Sequence, residues 1–400
     1  FKACTGITAI KSNWNTEYTK GIIPTDCYVG CTGIQTVDGV QVTNEYSTGL
    51  DEVPTAWGGY EFTKEYTGIY KVIIPEDNYT YTLGFAGGGT CCAGVTSQCQ
   101  VNWGDGTSSG SSDWSDGSIP SHTYAKAGTY IIKGKIHPCN GMRAVMGSPL
   151  IEILQVPHEL KDIDGYLDGT YNPNLQKADL SNMNKKKRYC NSMLYNCRYL
   201  TEVILPEGFQ PYRTAKMFQY CPSLTSIPWF DTSKNEYFGG NGSGIISGCS
   251  SLISAPEWDF SSAKGITRML GNTKNLESFT FTNLPDNISW NDGYGNGGLF
   301  GGESSGIIEL RGVNFTGMTL NYINTSGIFY EATNLQTITY KEGSIIDYEK
   351  TLYLKNPKLT KETLLNTINI LKDFSDTSIT PTLSIGSANL AKLTDDDIFI

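Results

Sequence analysis

The chain has 400 residues and a formal net charge of −10, with 39% apolar and 18% charged residues. An acidic surface repels a phosphate backbone, which excludes nucleic acid as a partner, and no run of about 18 apolar residues is present to span a bilayer. The 44 Gly and 24 Tyr favour turns and short strands over long helices, in a chain long enough for two to three domains.

The N-terminal segment already carries a repeat. Cys4, Ile7 and Ile10 recur 27 residues later as Cys31, Ile34 and Val37. Residues 1–57 are therefore expected to form N-terminal repeats, incomplete at the start because Phe1 stands inside the pattern. The chain also stops at Ile400, just after a helix start, so it reads as part of a longer polypeptide. The lack of a signal peptide then says little about export.

Between residues 58 and 140 the repeat disappears and strand-like runs replace it, at Ile69–Ile74, Tyr79–Phe85, Cys99–Trp103 and Thr129–Ile136. Val101-Asn102-Trp103-Gly104-Asp105-Gly106-Thr107 ends one strand in an Asp-Gly turn, and both turn residues tolerate the backbone it needs. His122-Thr123-Tyr124 and Ala127-Gly128-Thr129-Tyr130 follow. Together these segments resemble a PKD domain, an immunoglobulin-like β-sandwich of cell-surface proteins. That resemblance implies a spacing or binding role and adds no chemistry.

From residue 141 to 359 the repeat returns. Met193, Cys197, Leu200 and Val203 are followed 24 residues later by Met217, Cys221, Leu224 and Ile227. The frame is an apolar residue, a small residue four on, an aliphatic seven on and another aliphatic ten on. It continues at Ile245 (Cys249, Leu252, Ala255), Met269 (Thr273, Leu276, Phe279), Phe300 (Ser304, Ile307, Leu310), Ile328 (Ala332, Leu335, Ile338) and Leu352 (Asn356, Leu359), with Asn172 and Leu175 upstream. Most spacings lie between 24 and 31 residues. A coil of that length cannot bury its own apolar face, so successive coils must stack. The slot held by Cys4, Cys31, Asn172, Cys197, Cys221, Cys249 and Asn356 takes a small or amide-bearing residue. Such a side chain, turned inward, can meet backbone groups of the turn.

The pattern resembles BspA-like leucine-rich repeats over residues 1–40 and about 143–360, most closely from Met217 to Ile227. Gly-rich stretches at Phe238–Gly244 and Gly293–Gly302, and Ala332 in the slot, depart from it. Repeats of this kind occur on the surfaces of Bacteroidales and related bacteria and in structural proteins of their phages. The resemblance implies adhesion or recognition rather than a reaction.

Residues 360–400 read as a C-terminal helical cap over the last coil. Thr360 caps an amphipathic helix bearing Leu364, Leu365, Ile368 and Leu371. Ser384-Ile385-Gly386 is strand-like, and Thr394-Asp395-Asp396-Asp397 resembles a second helix start with acids in its first turn.

The expected fold class is thus mainly β with short helices: a leucine-rich-repeat solenoid with a parallel sheet, interrupted by an immunoglobulin-like β-sandwich. Five of the eleven Cys fall in the repeat slot, which favours buried free thiols over a redox or metal site. Cys91 or Cys92 with Cys99 or Cys139 is a disulfide alternative, Cys27 and Cys190 remain unassigned, and no Cys-x-x-Cys pair exists to hold zinc. His122, His137 and His158 have no nucleophile in a recognised setting, so no catalytic residue is assigned. Asp105, Asp113 and Asp116 are weak calcium candidates, turn formation being the ordinary role of such residues; no other cofactor is expected. Lys185-Lys186-Lys187-Arg188 reads as a solvated loop.

Binding candidates are Trp229, Trp258, Tyr220 and Trp114, since exposed aromatics suit sugar rings or a protein partner. The alternative for Trp229 and Trp258 is that they fill the space between coils. The resulting expectation is a non-enzymatic adhesive or receptor-binding protein, extracellular, on a virion or bacterial surface. Its partner would be a host-surface glycan or protein, with other virion or surface proteins and self-association as further possibilities. A purely architectural virion or filament subunit and the recognition part of a longer glycan-degrading enzyme are the alternatives.

Overall fold

The computed structural model describes residues 67–86, 99–111, 121–135, 143–145, 147–156, 165–183, 189–240, 243–288, 298–300, 305–316, 329, 332–348, 351–354, 358–394 and 397, with the pairs 9–10, 36–37, 40–41, 56–57 and 60–61. The described residues are mainly strand, with helices only at Lys361–Asn369 and Ser387–Leu390. They divide into two compact units, Phe1–Thr67 and Gly68–Ile400.

In the first unit Ala9–Ile10 pairs in parallel with Thr36–Val37, placing Ile10 opposite Val37. These two residues hold the same place in the sequence repeat, six beyond Cys4 and Cys31. Thr36–Val37 also pairs antiparallel with Val40–Gln41, and Ala56–Trp57 with Tyr60–Glu61.

In the second unit a seven-stranded sheet has the order Ser108–Ser111, Cys99–Asn102, Gly128–Lys135, Thr67–Ile74, Leu150–Gln155, Lys177–Asp179, Glu202–Ile204. The pairings of Cys99–Asn102 with both its neighbours are antiparallel. Leu150–Gln155 is the strand where the character changes, being antiparallel to Thr67–Ile74 on one side and parallel to Lys177–Asp179 on the other. The sheet therefore passes residue 140 without a break. A parallel pair needs a crossover of a dozen or more residues. The repeat provides it, since Glu152, Lys177 and Glu202 lie opposite one another at intervals of 25 residues.

Two short antiparallel pairs, Tyr79–Thr82 with Ser121–Tyr124 and Gly84–Ala86 with Arg143–Val145, complete the strands of this region. Between them and the sheet, Tyr70, Val72, Leu83, Val101, Trp103, Tyr124 and Ile132 are buried in one core. Removing that much aromatic and aliphatic surface from water is the main stabilising term here, at about 25 cal/mol per Å².

Beyond the sheet, two rows of backbone hydrogen bonds tie each coil to the next. In the first, Gln176 N donates to Ile151 O, Thr201 to Gln176, Ile253 to Thr225, Ile308 to Glu277, Gln336 to Ile308 and Thr360 to Gln336, at 2.7–3.0 Å. The second row lies in the segment ahead of each slot. Leu194 N donates to Met217 O, Phe218 to Ile245 and Leu270 to Leu299. Parallel bridges Tyr189–Arg213–Tyr237–Gly265 run beside it.

The second row depends on left-handed backbone at two fixed positions. Ser192, Lys216 and Arg268 lie five residues before Cys197, Cys221 and Thr273, and Asn196, Tyr220, Gly248 and Asn272 lie one residue before a slot; all have φ between 53° and 82°. Gly244 occupies the equivalent earlier position of the coil bearing Cys249.

The C-terminal segment does more than cover the stack. Thr360 caps the helix as expected, accepting from Thr363 N at 3.2 Å. Thr351–Leu354 then pairs in parallel with Thr382–Ile385, and Ile346 bridges Leu371 in parallel. Buried Asn389 donates to Leu354 O at 2.8 Å. The parallel pairing thus continues into residues 360–400, beside the helix expected there. Asp397 accepts from Thr394 N and Oγ at 2.6 Å, the reciprocal contact expected of a helix start.

Close stacking leaves no room for a side chain at Gly244, where a Cβ would lie 2.4 Å from Arg268 O and Met269 Cα of the next coil. Gly244→Ala is expected to destabilise the protein by about 1–3 kcal/mol, because overpacking forces the backbone to shift. A chemical denaturation curve measures this; an unchanged midpoint would show that the coils are further apart.

Candidate binding surface

The slot residues sit inside the stack. Asn172, Cys197, Cys221, Cys249, Thr273 and Ala332 are all fully buried. Each slot carbonyl accepts from the backbone N–H three residues on, closing the same turn onto Leu175, Leu200, Leu224, Leu252, Leu276 and Leu335. The thiols of Cys197, Cys221 and Cys249 donate to Leu167 O, Leu194 O and Phe218 O of the preceding coil at 3.0–3.2 Å. Asn172 Nδ2 reaches Asp168 O, and Thr273 Oγ1 reaches Leu270 O and Ser305 Oγ. The partner hydroxyl is that of Ser305; Ser304, expected in the slot, lies outside the described residues. So do Cys4, Cys31 and Asn356.

Cys190, Cys197, Cys221 and Cys249 are free and buried. Burial pushes the Cys221 and Cys249 thiols well above the ordinary thiol range, which makes them poor nucleophiles. Cys27, Cys91, Cys92 and Cys139 lie outside the described residues, as do His137, His158 and the run Lys185–Arg188.

The two tryptophans of the parallel sequences part company. Trp258 is fully buried and is not available to a ligand, contrary to the expectation that it binds one. It packs between Phe230 at 5.7 Å, Phe238 at 6.0 Å and Phe279 at 6.3 Å, in an aromatic column that also holds Phe209, Phe260 and Phe281. Trp229 is 64% exposed. The reason is one residue of register: Phe230 and Trp258 both lie nine beyond their slots, Cys221 and Cys249, whereas Trp229 lies eight beyond. In extended chain neighbouring residues face opposite ways, so the similar sequences place their indoles on opposite sides. For Trp258 the space-filling alternative is the one realised.

Tyr220, the third binding candidate, is 37% exposed and meets Tyr195 edge-on at 5.8 Å. Lys216 Nζ lies 5.8 Å from the Tyr195 ring. Trp114 lies outside the described residues.

A second cluster on the same segment was not singled out from sequence. The Arg213 guanidinium lies 4.6 Å from the Tyr237 ring, 5.4 Å from Tyr189 and 5.9 Å from Tyr212. Tyr189 is 47% exposed. Glu236 pairs with Lys264 at 2.7 Å. The Lys264 and Tyr212 hydrogen bonds hold the Glu236 carboxyl below its usual range. The available signal was spacing: Tyr189, Arg213 and Tyr237 stand 24 residues apart. A further recurring signal is Asp-x-Ser or its relatives at Asp179, Asp231, Asp259 and Asp373. In each the Asp Oδ1 accepts from the backbone N–H two residues on, fixing a second corner of the coil.

Of the calcium candidates, Asp113 and Asp116 lie outside the described residues. Asp105 is occupied by its own turn: Oδ1 accepts from Thr107 N at 2.9 Å and Thr107 Oγ1 at 2.6 Å, and Oδ2 lies 2.6 Å from His122 Nε2. Both oxygens are thus spent on protein groups. No group of three or more metal-ligating side chains occurs among the described residues. His122 stacks on Trp103 at 5.3 Å, and the Tyr124 hydroxyl donates to Trp103 O at 2.8 Å. The Asp-Gly turn is therefore fastened to the His-x-Tyr strand. Burial raises the Asp105 carboxyl, but the Thr107 and His122 hydrogen bonds outweigh that and hold it at about 2.

No family model, curated protein or solved structure matches the chain.

Two outcomes follow from these placements. Trp258→Ala is expected to cost about 3–5 kcal/mol, as for other buried aromatics, whereas Trp229→Ala should stay within about 0.5 kcal/mol of wild type. Equal effects in a denaturation series would contradict the assigned register. Asp105, with a folded pKa near 2 against about 3.9 unfolded, contributes stability above pH 4 that is lost as pH falls towards 2. Asp105→Asn should remove that part of the acid sensitivity. Thermal midpoints of both proteins from pH 5 to pH 2 measure it, and a constant difference across the range would refute the linkage.

Proposed function

We propose that the chain is a BspA-like leucine-rich-repeat protein carrying a PKD-like sandwich, and that it is a non-enzymatic recognition protein. It acts extracellularly, on a phage particle or a bacterial surface, by binding a host glycan or protein through the exposed face of its repeats. The parallel stacking at intervals of 24–31 residues and the buried slot support the repeat assignment. The Trp103–Asp105–His122–Tyr124 arrangement supports the sandwich assignment. The observation that carries the recognition role is the exposed aromatic set on consecutive coils, Tyr189, Tyr199, Tyr220 and Trp229. Aromatic rings offer large contact area with little entropy to lose on binding.

A second reading, an architectural subunit whose stack packs on copies of itself, is favoured by one observation. The strand Thr382–Ile385 pairs on one side only among the described residues. Its Leu383 and Ile385 are half-buried, whereas their partners on the neighbouring strand, Leu352 and Leu354, are buried. An open edge with apolar flanks is a template for a further layer.

Glycan-array and host-protein binding by the 400-residue chain separates the two. Recognition requires at least one saturable ligand, with binding weakened by substitution of the exposed aromatics. Concentration-dependent self-assembly without any ligand would favour the architectural reading. Hydrolysis of a host polysaccharide by this chain alone would overturn the non-enzymatic assignment.

A further inference from the structure

The coils sort charge by side. Each consists of a turn half, leading through the slot to its Leu, and a following strand half, which over residues 201–288 forms a strand only at Glu202–Ile204 and Ser278–Thr280. In residues 189–200, 212–224, 236–252 and 264–276, the turn halves, the basic residues are Arg198, Arg213, Lys216, Lys264, Arg268 and Lys274, against the single acid Glu236. The intervening strand halves, residues 201–211, 225–235, 253–263 and 277–288, carry seven acidic residues and only one basic residue, Lys234. A chain of net charge −10 thus gathers positive charge on one side of four consecutive coils. Resting on the recognition reading above, we infer that this turn side binds an acidic saccharide, one bearing carboxylate or sulfate groups.

Two cations lie against half-buried or exposed tyrosine rings and are not neutralised. Arg213 lies against Tyr189, Tyr212 and Tyr237, and Lys216 lies against Tyr195. Neither is ion-paired with a carboxylate among the described residues. Glu236 is near Arg213, but it is committed to Lys264 and the Tyr212 hydroxyl. Arg213 Nε is buried with no hydrogen-bond partner. An Arg held between rings keeps its planar fork available at the edge, the geometry that suits a carboxylate or sulfate.

The clusters at Tyr189 and Tyr195 are six residues apart, so at most about 20 Å separates them and one short chain of sugars reaches both. Pyranose rings present C–H faces to the tyrosines while their anionic groups meet Arg213 and Lys216.

The test uses surface-bound polygalacturonate, heparin and polysialate, with neutral laminarin and mannan, polyglutamate and single-stranded DNA as comparators. The full chain is expected to bind at least one acidic glycan in a salt-dependent manner, and the neutral polymers at least tenfold more weakly. Arg213→Gln with Lys216→Gln should weaken that binding at least tenfold without moving the thermal midpoint, and Lys234→Gln, which removes a charge from a strand half, should leave it unchanged. Equal binding of neutral glycans, or no effect of the double substitution in a folded protein, would overturn the acidic-saccharide assignment and leave the recognition reading standing. Equal affinity for polyglutamate or DNA would overturn it as well, showing a general anion surface. Absence of binding to every glycan and host protein would remove both.

Discussion

Everything in the larger unit depends on hydrogen bonds that no coil can make for itself. A segment of 24–31 residues wound once has backbone donors and acceptors pointing along the stack, and burying them unpaired is costly. The row from Ile151 through Gln176 to Thr201, resumed at Thr225 and Glu277, supplies partners on the neighbouring coil. The slot answers the same demand where the chain turns inward. The carbonyls of Leu167, Leu194 and Phe218 have thiol donors from the coil that follows. A thiol there is small enough to let backbones approach and polar enough to satisfy an acceptor.

This constraint also explains the join between the two parts of the sheet. Leu150–Gln155 offers one edge to the antiparallel strand Thr67–Ile74 and the other to the first parallel strand of the repeats. The antiparallel strand Thr67–Ile74 thereby covers what would otherwise be an open edge of the parallel strands. Across this join the half-buried Lys71 pairs with Glu152, and on the next two strands the exposed Lys177 pairs with Glu202. The exposed pair adds little stability, but opposite charges facing each other favour this register.

Much of this was legible in the sequence because stacking imposes a strict period. Counting from Cys197, Cys221 and Cys249 located the turns and the buried leucines, but the expected strand forms after Cys197 at Glu202–Ile204 and not after Cys221 or Cys249. Ile10 and Val37 fell opposite each other in the N-terminal unit as their shared position implies. The continuity of the sheet past residue 140 was not legible, because nothing in Leu150–Gln155 reveals that one strand joins an antiparallel part to a parallel part. The surface was read least well. Period alone could not tell Trp229 from Trp258, since their fates differ by one residue of offset from the slot. Nor did it expose Tyr189, Arg213 and Tyr237 as a cluster, because they lie ahead of the slot where the apolar frame is silent. Charge sorting became visible only when each coil was divided at its Leu.

The stacked hydrogen-bond rows are best tested by native-state hydrogen exchange. The amides of Gln176, Thr201, Ile253, Ile308, Gln336 and Thr360 are expected to be strongly protected, because each donates to the preceding coil. Exchange of these amides at the rate of exposed loops, with the Trp103 core still protected, would contradict the stacked arrangement.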